Sequence, residues 1–298
     1  MVNYNNSKKF ISIVKTRFWL YLPLIKSPQT ALLLITGVTG YISARCPVIP
    51  LHIFIGLISS LFLAISGSTV LNMILDRDID AIMNRTAKRP LPSGKISVNE
   101  ALCLGLVLSF SGLFLSFLLS LLYGIVVSAG LFIDVVIYTK WLKRKTPWSI
   151  IWGGISGGMP ILAGRALGLG ELDIIGGLLS LAVLLWIPTH IMTFSMHYFD
   201  DYESAGIPTF PSTYGYKNTR LIIVFSSLGA ALAIALALFT LGLSWGYLRL
   251  MIVLTVGMLG IAVVSIFRPS EKINFGLFKY ASLYMLSSML MVTLGVFS

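Results

Sequence analysis

The run Asn72-Met-Ile-Leu-Asp76-Arg77-Asp78-Ile-Asp80-Ala-Ile-Met-Asn84-Arg85-Thr86-Ala-Lys88-Arg89-Pro90-Leu91-Pro92 closes an apolar stretch that begins near residue 51. The stretch has the length of a membrane-crossing helix, roughly 20 residues. Asn72, Asp76 and Asp80 stand four residues apart, so a continuing helix carries all three on one face over roughly 12 Å. Such a ladder of oxygens suits a hard cation; magnesium is held by one or two carboxylates, several waters and a substrate's phosphate oxygens. Asp78 turns elsewhere and is expected to pair with Arg77 or Lys88. Just beyond, Arg85, Lys88 and Arg89 can meet diphosphate oxygens that metal ions leave uncovered, arginine in bidentate fashion. A cluster that merely stopped translocation would need lysine and arginine, not three acids and an asparagine in register. A carboxylate near membrane depth is costly and usually functional.

Composition places this run in a bilayer protein. Of 298 residues, 56% are hydrophobic and 11% charged, where a soluble domain carries about 25% charge; the mean hydropathy is +0.89. A net charge of +11 would suggest a nucleic-acid partner in a soluble protein. Here lysine- and arginine-rich cytoplasmic loops account for it, and no nucleic acid is expected. Cys46 and Cys103 are too few and too distant for a disulfide framework or a metal cage and are read as packing residues.

Hydrophobic stretches predict an all-α, polytopic membrane protein of about nine transmembrane helices, near 28–45, 51–75, 99–118, 121–139, 149–168, 174–195, 219–241, 246–266 and 279–297. The chain reads as a single domain, 1–298, with residues 1–27 a cytoplasmic, interfacial lead-in rather than a signal peptide. The third and fourth spans nearly touch, with Tyr123 and Gly124 the expected tight turn. If the N-terminus lies inside, every one of the 22 basic residues except Arg45, Arg165 and Arg249 falls on the cytoplasmic side. The C-terminus is then outside and the acidic run cytoplasmic. Without a persuasive organelle presequence, a prokaryotic cell membrane is the expected location, with a mitochondrial inner membrane as the alternative.

A second polar constellation ends the sixth span: Trp186-Ile-Pro188-Thr-His190-Ile-Met-Thr-Phe-Ser195-Met-His197-Tyr198-Phe-Asp200-Asp201-Tyr202-Glu203. The same topology puts it level with the first. Two acid clusters facing each other could hold a diphosphate between two or three magnesium ions, and the pair is far more specific than either alone. His190 reads as a packing residue or a direct participant, and His197 as a polar cap beside the metals. Asp134 lies mid-span with Tyr138 one turn on; the acid either orients an acceptor or shuttles a proton, or it is a structural acid bonded to a neighbouring helix. Gly153, Gly154, Gly157 and Gly158 allow close helix packing or make room for a planar acceptor.

At these residues the chain resembles the UbiA superfamily of intramembrane prenyltransferases, whose NxxxDxxxD signature matches Asn72, Asp76 and Asp80. Within it, residues 76–97 (DRDIDAIMNRTAKRPLPSGKIS), 138–160 (YTKWLKRKTPWSIIWGGISGGMP) and 197–211 (HYFDDYESAGIPTFP) are similar to the branch of protoheme IX farnesyltransferases. The resemblance implies a helical bundle around a central cavity and magnesium-dependent transfer of a farnesyl group from farnesyl diphosphate to a vinyl group of heme B. It implies metal and diphosphate roles for Asn72, Asp76, Asp80 and Asp201, with Asp200 also in the motif, and diphosphate contacts for Arg85, Arg89, Lys143 and Arg144. The superfamily's usual first acid of the second motif falls at His197. Phe199, Ser149 and the stretches 158–161 and 188–192 also depart from the branch pattern, which leaves a quinone precursor or a lipid glycerophosphate as the alternative acceptor. A transporter or non-catalytic binder of isoprenoid diphosphates is the rival of a different class.

Overall fold

The computed structural model describes residues 19–45 and 50–297, and among them every regular element is helical. A 3-10 turn, Leu22–Ile25, leads into α1 (Ser27–Ser43). There follow α2 (Leu51–Leu75), the short α3 (Arg77–Ile82), α4 (Val98–Leu119), α5 (Leu121–Phe132) and α6 (Ser149–Leu169). Then come α7 (Ile174–His197), the short α8 (Phe199–Ser204), α9 (Phe210–Thr240), α10 (Trp245–Phe267) and α11 (Glu271–Gly295). α5 runs without a break into a π-helical segment, Ile133–Leu142.

Each expected span coincides with a long helix, and seven helices are long and apolar enough to cross a membrane. The two spans outside that set are α1, with 17 residues, and the glycine-rich α6. On α4, Phe110, Phe114 and Leu118 are exposed, the surface a lipid-facing helix presents. Cys103, expected to pack, is exposed on that same helix. Cys46 and residues 1–18 lie outside the described residues.

Several boundaries differ from the hydropathy reading because polar first turns belong to the helices. α9 starts at Phe210, where Thr209 and Ser212 form a reciprocal capping box, and bends at Gly215 (φ 77°). α11 starts after Ser270, whose hydroxyl accepts the Ile273 N–H. Between α4 and α5 a single extended residue, Ser120 (φ −164°, ψ 141°), reverses the chain. Tyr123 is instead fully buried inside α5, its hydroxyl 2.8 Å from Ser60 Oγ.

With no hydrophobic drive between helices in lipid, close backbone approach and polar contacts hold the bundle. At the α1–α6 crossing a Cβ on Gly164 would overlap the Gly37 carbonyl oxygen, and one on Gly40 the Ile161 carbonyl. Along α6, a Cβ on Gly158 would overlap Ser180 Oγ of α7, and one on Gly154 would stand 3.2 Å from the Leu184 carbonyl. The glycine patch therefore serves packing. α6 is the shared wall between one buried cluster around Tyr41, Leu61 and Tyr123 and a second spread over α7, α9, α10 and α11.

At the end of the bundle away from the acid runs, Arg165 is 5% exposed. Its Nε and one terminal nitrogen donate to Asp173 at 2.7 Å each, and the other donates to the Ser43 carbonyl at 2.5 Å. The guanidinium holds the Asp173 carboxyl below its ordinary range. Asp173→Ala leaves a buried charge uncompensated, so a loss of about 3–5 kcal/mol in stability is expected. A thermal melt in detergent that matches the parent would refute this.

Candidate active site

The opposite end gathers the start of α1, the ends of α2 and α7, the short helices α3 and α8, and the close of the π segment. α2 breaks at Asp76, whose backbone (φ −95°, ψ 2°) is no longer helical, in the region where many active-site residues sit. The i→i−4 bonding nevertheless survives the break: Asp76 N–H reaches the Asn72 carbonyl at 2.9 Å, and Asp80 N–H reaches that of Asp76 at 2.8 Å. The expected shared face of Asn72, Asp76 and Asp80 is thus kept across two helices rather than along one. α7 breaks in the same way at Tyr198 (φ −107°, ψ 37°), and α8 then presents Asp201.

The two acid runs meet. Asp201 Oδ1 accepts the Asn84 N–H at 3.0 Å, and its Oδ2 accepts the Arg85 N–H at 3.3 Å. Ile79, Met83 and Ile207 form an apolar cluster between the same segments. Asp201 accordingly ties the second run to the loop that follows the first.

Each remaining acid of the first run has a cationic partner. Asp76 Oδ2 accepts from Lys143 Nζ at 2.5 Å, and Asp80 Oδ2 from an Arg89 guanidinium nitrogen at 2.9 Å. Asp78 is clasped by Arg144 at 2.6 and 2.7 Å, not by Arg77 or Lys88, and Arg144 also caps the Leu75 carbonyl at 2.6 Å. Asn72 Nδ2 donates to Asp134 Oδ2 at 2.6 Å, and Ser68 Oγ donates to the same oxygen. Two buried acceptors are left without a hydrogen-bond partner, Asn72 Oδ1 and Asp76 Oδ1.

Asp76, Asp80, Arg89 and Lys143 border a cavity of about 700 Å³, whereas Asn72, Asp134 and Asp201 stand behind its lining. Lys26, Asp76, Asp80, Arg85, Arg89, Tyr138 and Lys143 are among its polar lining; Ile79, Met83, Ile150, Ile191, Met192 and Phe194 are among its apolar walls. The Arg85 guanidinium lies 5.0 Å from the Phe194 ring centre and 5.3 Å from that of Tyr198, a stacking that orients it.

Other expected site residues stand outside the cavity lining. Arg144 and Asp200 are exposed. His197 Nδ1 faces Glu271 Oε1 at 3.0 Å with its ring stacked on Phe275. His190 is sandwiched between Trp186 and Phe278, its Nδ1 3.2 Å from Ser282 Oγ.

Lys26 is the residue that sequence reasoning overlooked, because a lysine just before a first span is what topology alone demands. The start of α1, with Pro28 in its first turn, holds it at the cavity. Burial, then the neighbouring Arg89 and Lys143 charges, push its ammonium down to about 8, against the pull of Asp76 and Asp80. Burial also disfavours the charge on Lys143, yet Tyr138 and the Asp76 contact hold it above the ordinary lysine range.

The π-helical segment explains how one element serves both acids of α2. Asp134 and Lys143 are nine residues apart, two and a half turns of an α-helix at about 3.6 residues per turn, which would put them on opposite faces. With bonds running i→i−5, as from Lys143 N–H to the Tyr138 carbonyl at 2.8 Å, a turn takes roughly 4.4 residues. Nine residues then make about two turns, and both side chains reach α2.

Among the described residues no three His, Cys, Asp or Glu side chains gather closely enough to hold a metal ion by themselves. The donors present are oxygens, two of them buried and unpartnered. That fits a hard cation sharing its coordination sphere with a phosphorylated ligand.

Comparison with known proteins gives the family and the fold. Residues 33–286 match the UbiA prenyltransferase family. The chain is 46% identical to the protoheme IX farnesyltransferase of Archaeoglobus fulgidus over 216 residues, 72% of this chain and 75% of that one. It is 40% identical to the protein of the same name from Korarchaeum cryptofilum over 232 residues, 78% of each. The solved structure of a digeranylgeranylglyceryl phosphate synthase superposes with a TM-score of 0.79 at 23% identity, covering 94% of this chain and 99% of that one. A UbiA homolog from Archaeoglobus fulgidus bound to GPP and Mg2+ superposes with a TM-score of 0.67 at 16% identity, covering 92% and 99%. With an all-helical bundle, seven membrane-length helices and a match over most of its length, the chain is a multi-pass integral membrane protein of the UbiA prenyltransferase family.

Proposed function

We propose that the protein transfers a farnesyl group from farnesyl diphosphate to a vinyl group of protoheme IX (heme B), giving heme O and releasing diphosphate. The observation that carries the chemistry is a group of four cations and two carboxylates, Lys26, Arg85, Arg89, Lys143, Asp76 and Asp80, on a cavity whose other walls are mostly apolar. The acceptor rests on the relatives named protoheme IX farnesyltransferase. Magnesium is the proposed cofactor, supported by the all-oxygen donor set and by the GPP- and Mg2+-bound homolog. Asn72, Asp76 and Asp80 would hold it, with Asp201 fixing the loop opposite. When bound, the metal neutralises negative charge on the departing diphosphate.

The chain's own groups do the rest. Lys143 and Arg89, paired with Asp76 and Asp80 at the cavity wall, stand where they would donate to diphosphate oxygens. With Lys26 and Arg85 they form donors whose contribution grows as the leaving group takes charge. The allylic C–O bond breaks with its electron pair going to the diphosphate. The apolar walls exclude water from the carbocation until the vinyl carbon captures it, and water completes the hydroxyethylfarnesyl side chain. The lysine and arginine bias supports a cytoplasmic face for this end of the bundle.

The test is purified protein with Mg2+, farnesyl diphosphate and protoheme IX, read by mass spectrometry. A farnesylated porphyrin with released diphosphate is expected. A prenylated hydroxybenzoate or glycerophosphate formed instead overturns the acceptor, and binding without diphosphate release overturns the enzyme.

Lys26 adds a pH signature. It binds diphosphate only when protonated, so in the free enzyme donor affinity is full below about pH 8. It should fall as pH rises through that value, at most about tenfold per pH unit for one proton. Donor KM measured from pH 7 to 9 should rise accordingly, while Lys26→Arg, charged throughout, flattens the profile. A rise of equal steepness in the arginine variant would remove Lys26 from the account.

A further inference from the structure

Asn72 is held by an acid that no part of the signature contains. Asp134 Oδ2 accepts from Asn72 Nδ2 at 2.6 Å and from Ser68 Oγ one turn earlier. A carboxylate can only accept, so the Asn72 amide must turn its NH2 toward Asp134. Its carbonyl oxygen is thereby committed to the other side, where it is buried without a partner. One turn on, Asp76 Oδ1 is orphaned in the same way. Leaving a buried acceptor unsatisfied costs about 1–3 kcal/mol. Two such atoms four residues apart on one helix are therefore a feature the fold maintains at a cost. The π-helical segment maintains it, because only that wider turn lets Asp134 reach Asn72 while Lys143 reaches Asp76.

We propose that Asp134 is a positioning residue for the metal site: it locks the Asn72 amide so that Oδ1 is presented to the cation with Asp76 Oδ1. This rests on the metal-dependent reading above and deepens it. Asp134 makes the bond to a neighbouring helix that the sequence reading offered as its structural alternative; the positioning role goes beyond it. Asp134 acts through Asn72, as the outer partners of metal ligands do.

The experiment is a double-mutant cycle read by Mn2+ binding, with electron paramagnetic resonance on protein in detergent containing inorganic diphosphate. No turnover is required. Asp134→Ala should weaken Mn2+ binding by about 10–100-fold, the range for removing an outer partner, and Asn72→Ala, which removes the ligand itself, by at least as much. The double variant should be no weaker than Asn72→Ala, because Asp134 then has nothing to orient. Losses that multiply would make Asp134 an independent ligand, and Asp134→Ala binding within threefold of the parent would make it a structural acid; either overturns the proposal. Thermal melts without metal accompany each variant. Should Asp134→Ala fail to fold, the exchanged pair Asn72→Asp with Asp134→Asn keeps one carboxylate and one amide. It should bind Mn2+ within a few-fold of the parent, and a loss beyond tenfold in a folded exchange variant overturns the proposal. A parent protein that binds no Mn2+ overturns the metal reading itself, and this inference with it.

Discussion

Asp76→Ala should cut turnover by at least about a thousandfold while the protein still inserts and folds. Asp76 stands at the break between α2 and α3, with one carboxylate oxygen on Lys143 at 2.5 Å and the other buried without a partner. In the proposed mechanism, losing the carboxylate removes the anchor of the cation that neutralises the leaving group, a contribution of several kcal/mol. At about 1.4 kcal/mol per factor of ten, that is three decades or more. The fold should survive because i→i−4 bonding through Asp76 is made by its backbone. Initial rates with saturating farnesyl diphosphate, protoheme IX and Mg2+, beside size-exclusion profiles in detergent, make the comparison. Asp76→Asn separates charge from shape: it preserves the outline and should still lose most of the rate. More than a tenth of parent activity in a well-folded Asp76→Ala protein would remove the metal from the mechanism.

Lys143→Met and Arg144→Met, adjacent in sequence, should differ by about two orders of magnitude in kcat. Lys143 lines the cavity, and its side chain and that of Asp76, its partner, are 20% and 13% exposed. Removing a donor aimed at developing charge costs about 10²–10³ in rate. Arg144 clasps Asp78 where the two side chains are 42% and 68% exposed. Such a surface pair is worth about 1 kcal/mol or less, so the Arg144 variant should stay within about fivefold of the parent. Equal losses in the two variants would mean that Arg144 leaves Asp78 during turnover and joins the diphosphate.

That contrast shows where local pattern stops being informative. Two neighbouring cations in a family-like motif look equivalent in a linear reading. Their separation arises where the π segment closes, at Leu142 just before both: Lys143 reaches Asp76 at the cavity, and Arg144 lies along the surface on Asp78. Asp200 and Asp201 divide likewise: α8 is only six residues long, and its packing against Ile79 and Met83 turns Asp201 in and leaves Asp200 exposed. His197, in the position of a possible ligand, instead faces Glu271 of α11 at 3.0 Å and stacks on Phe275.

What the sequence determined by itself is whatever depends on solvent and on short-range periodicity. Apolar length set the helices, because unsatisfied backbone is too costly in lipid for any other spanning form in a chain of this pattern. Four-residue spacing set the shared face of Asn72, Asp76 and Asp80, because i→i−4 bonding persists even through a break. What only the tertiary structure decided is which charges meet. Asp201 capping the Asn84 and Arg85 amides, Lys26 entering the cavity from α1, and a five-residue hydrogen-bond register that turns Asp134 and Lys143 to the same neighbour all join segments far apart in the chain. The reason is energetic: a buried charge or amide must be satisfied wherever a partner can be found, and packing, not sequence distance, supplies that partner.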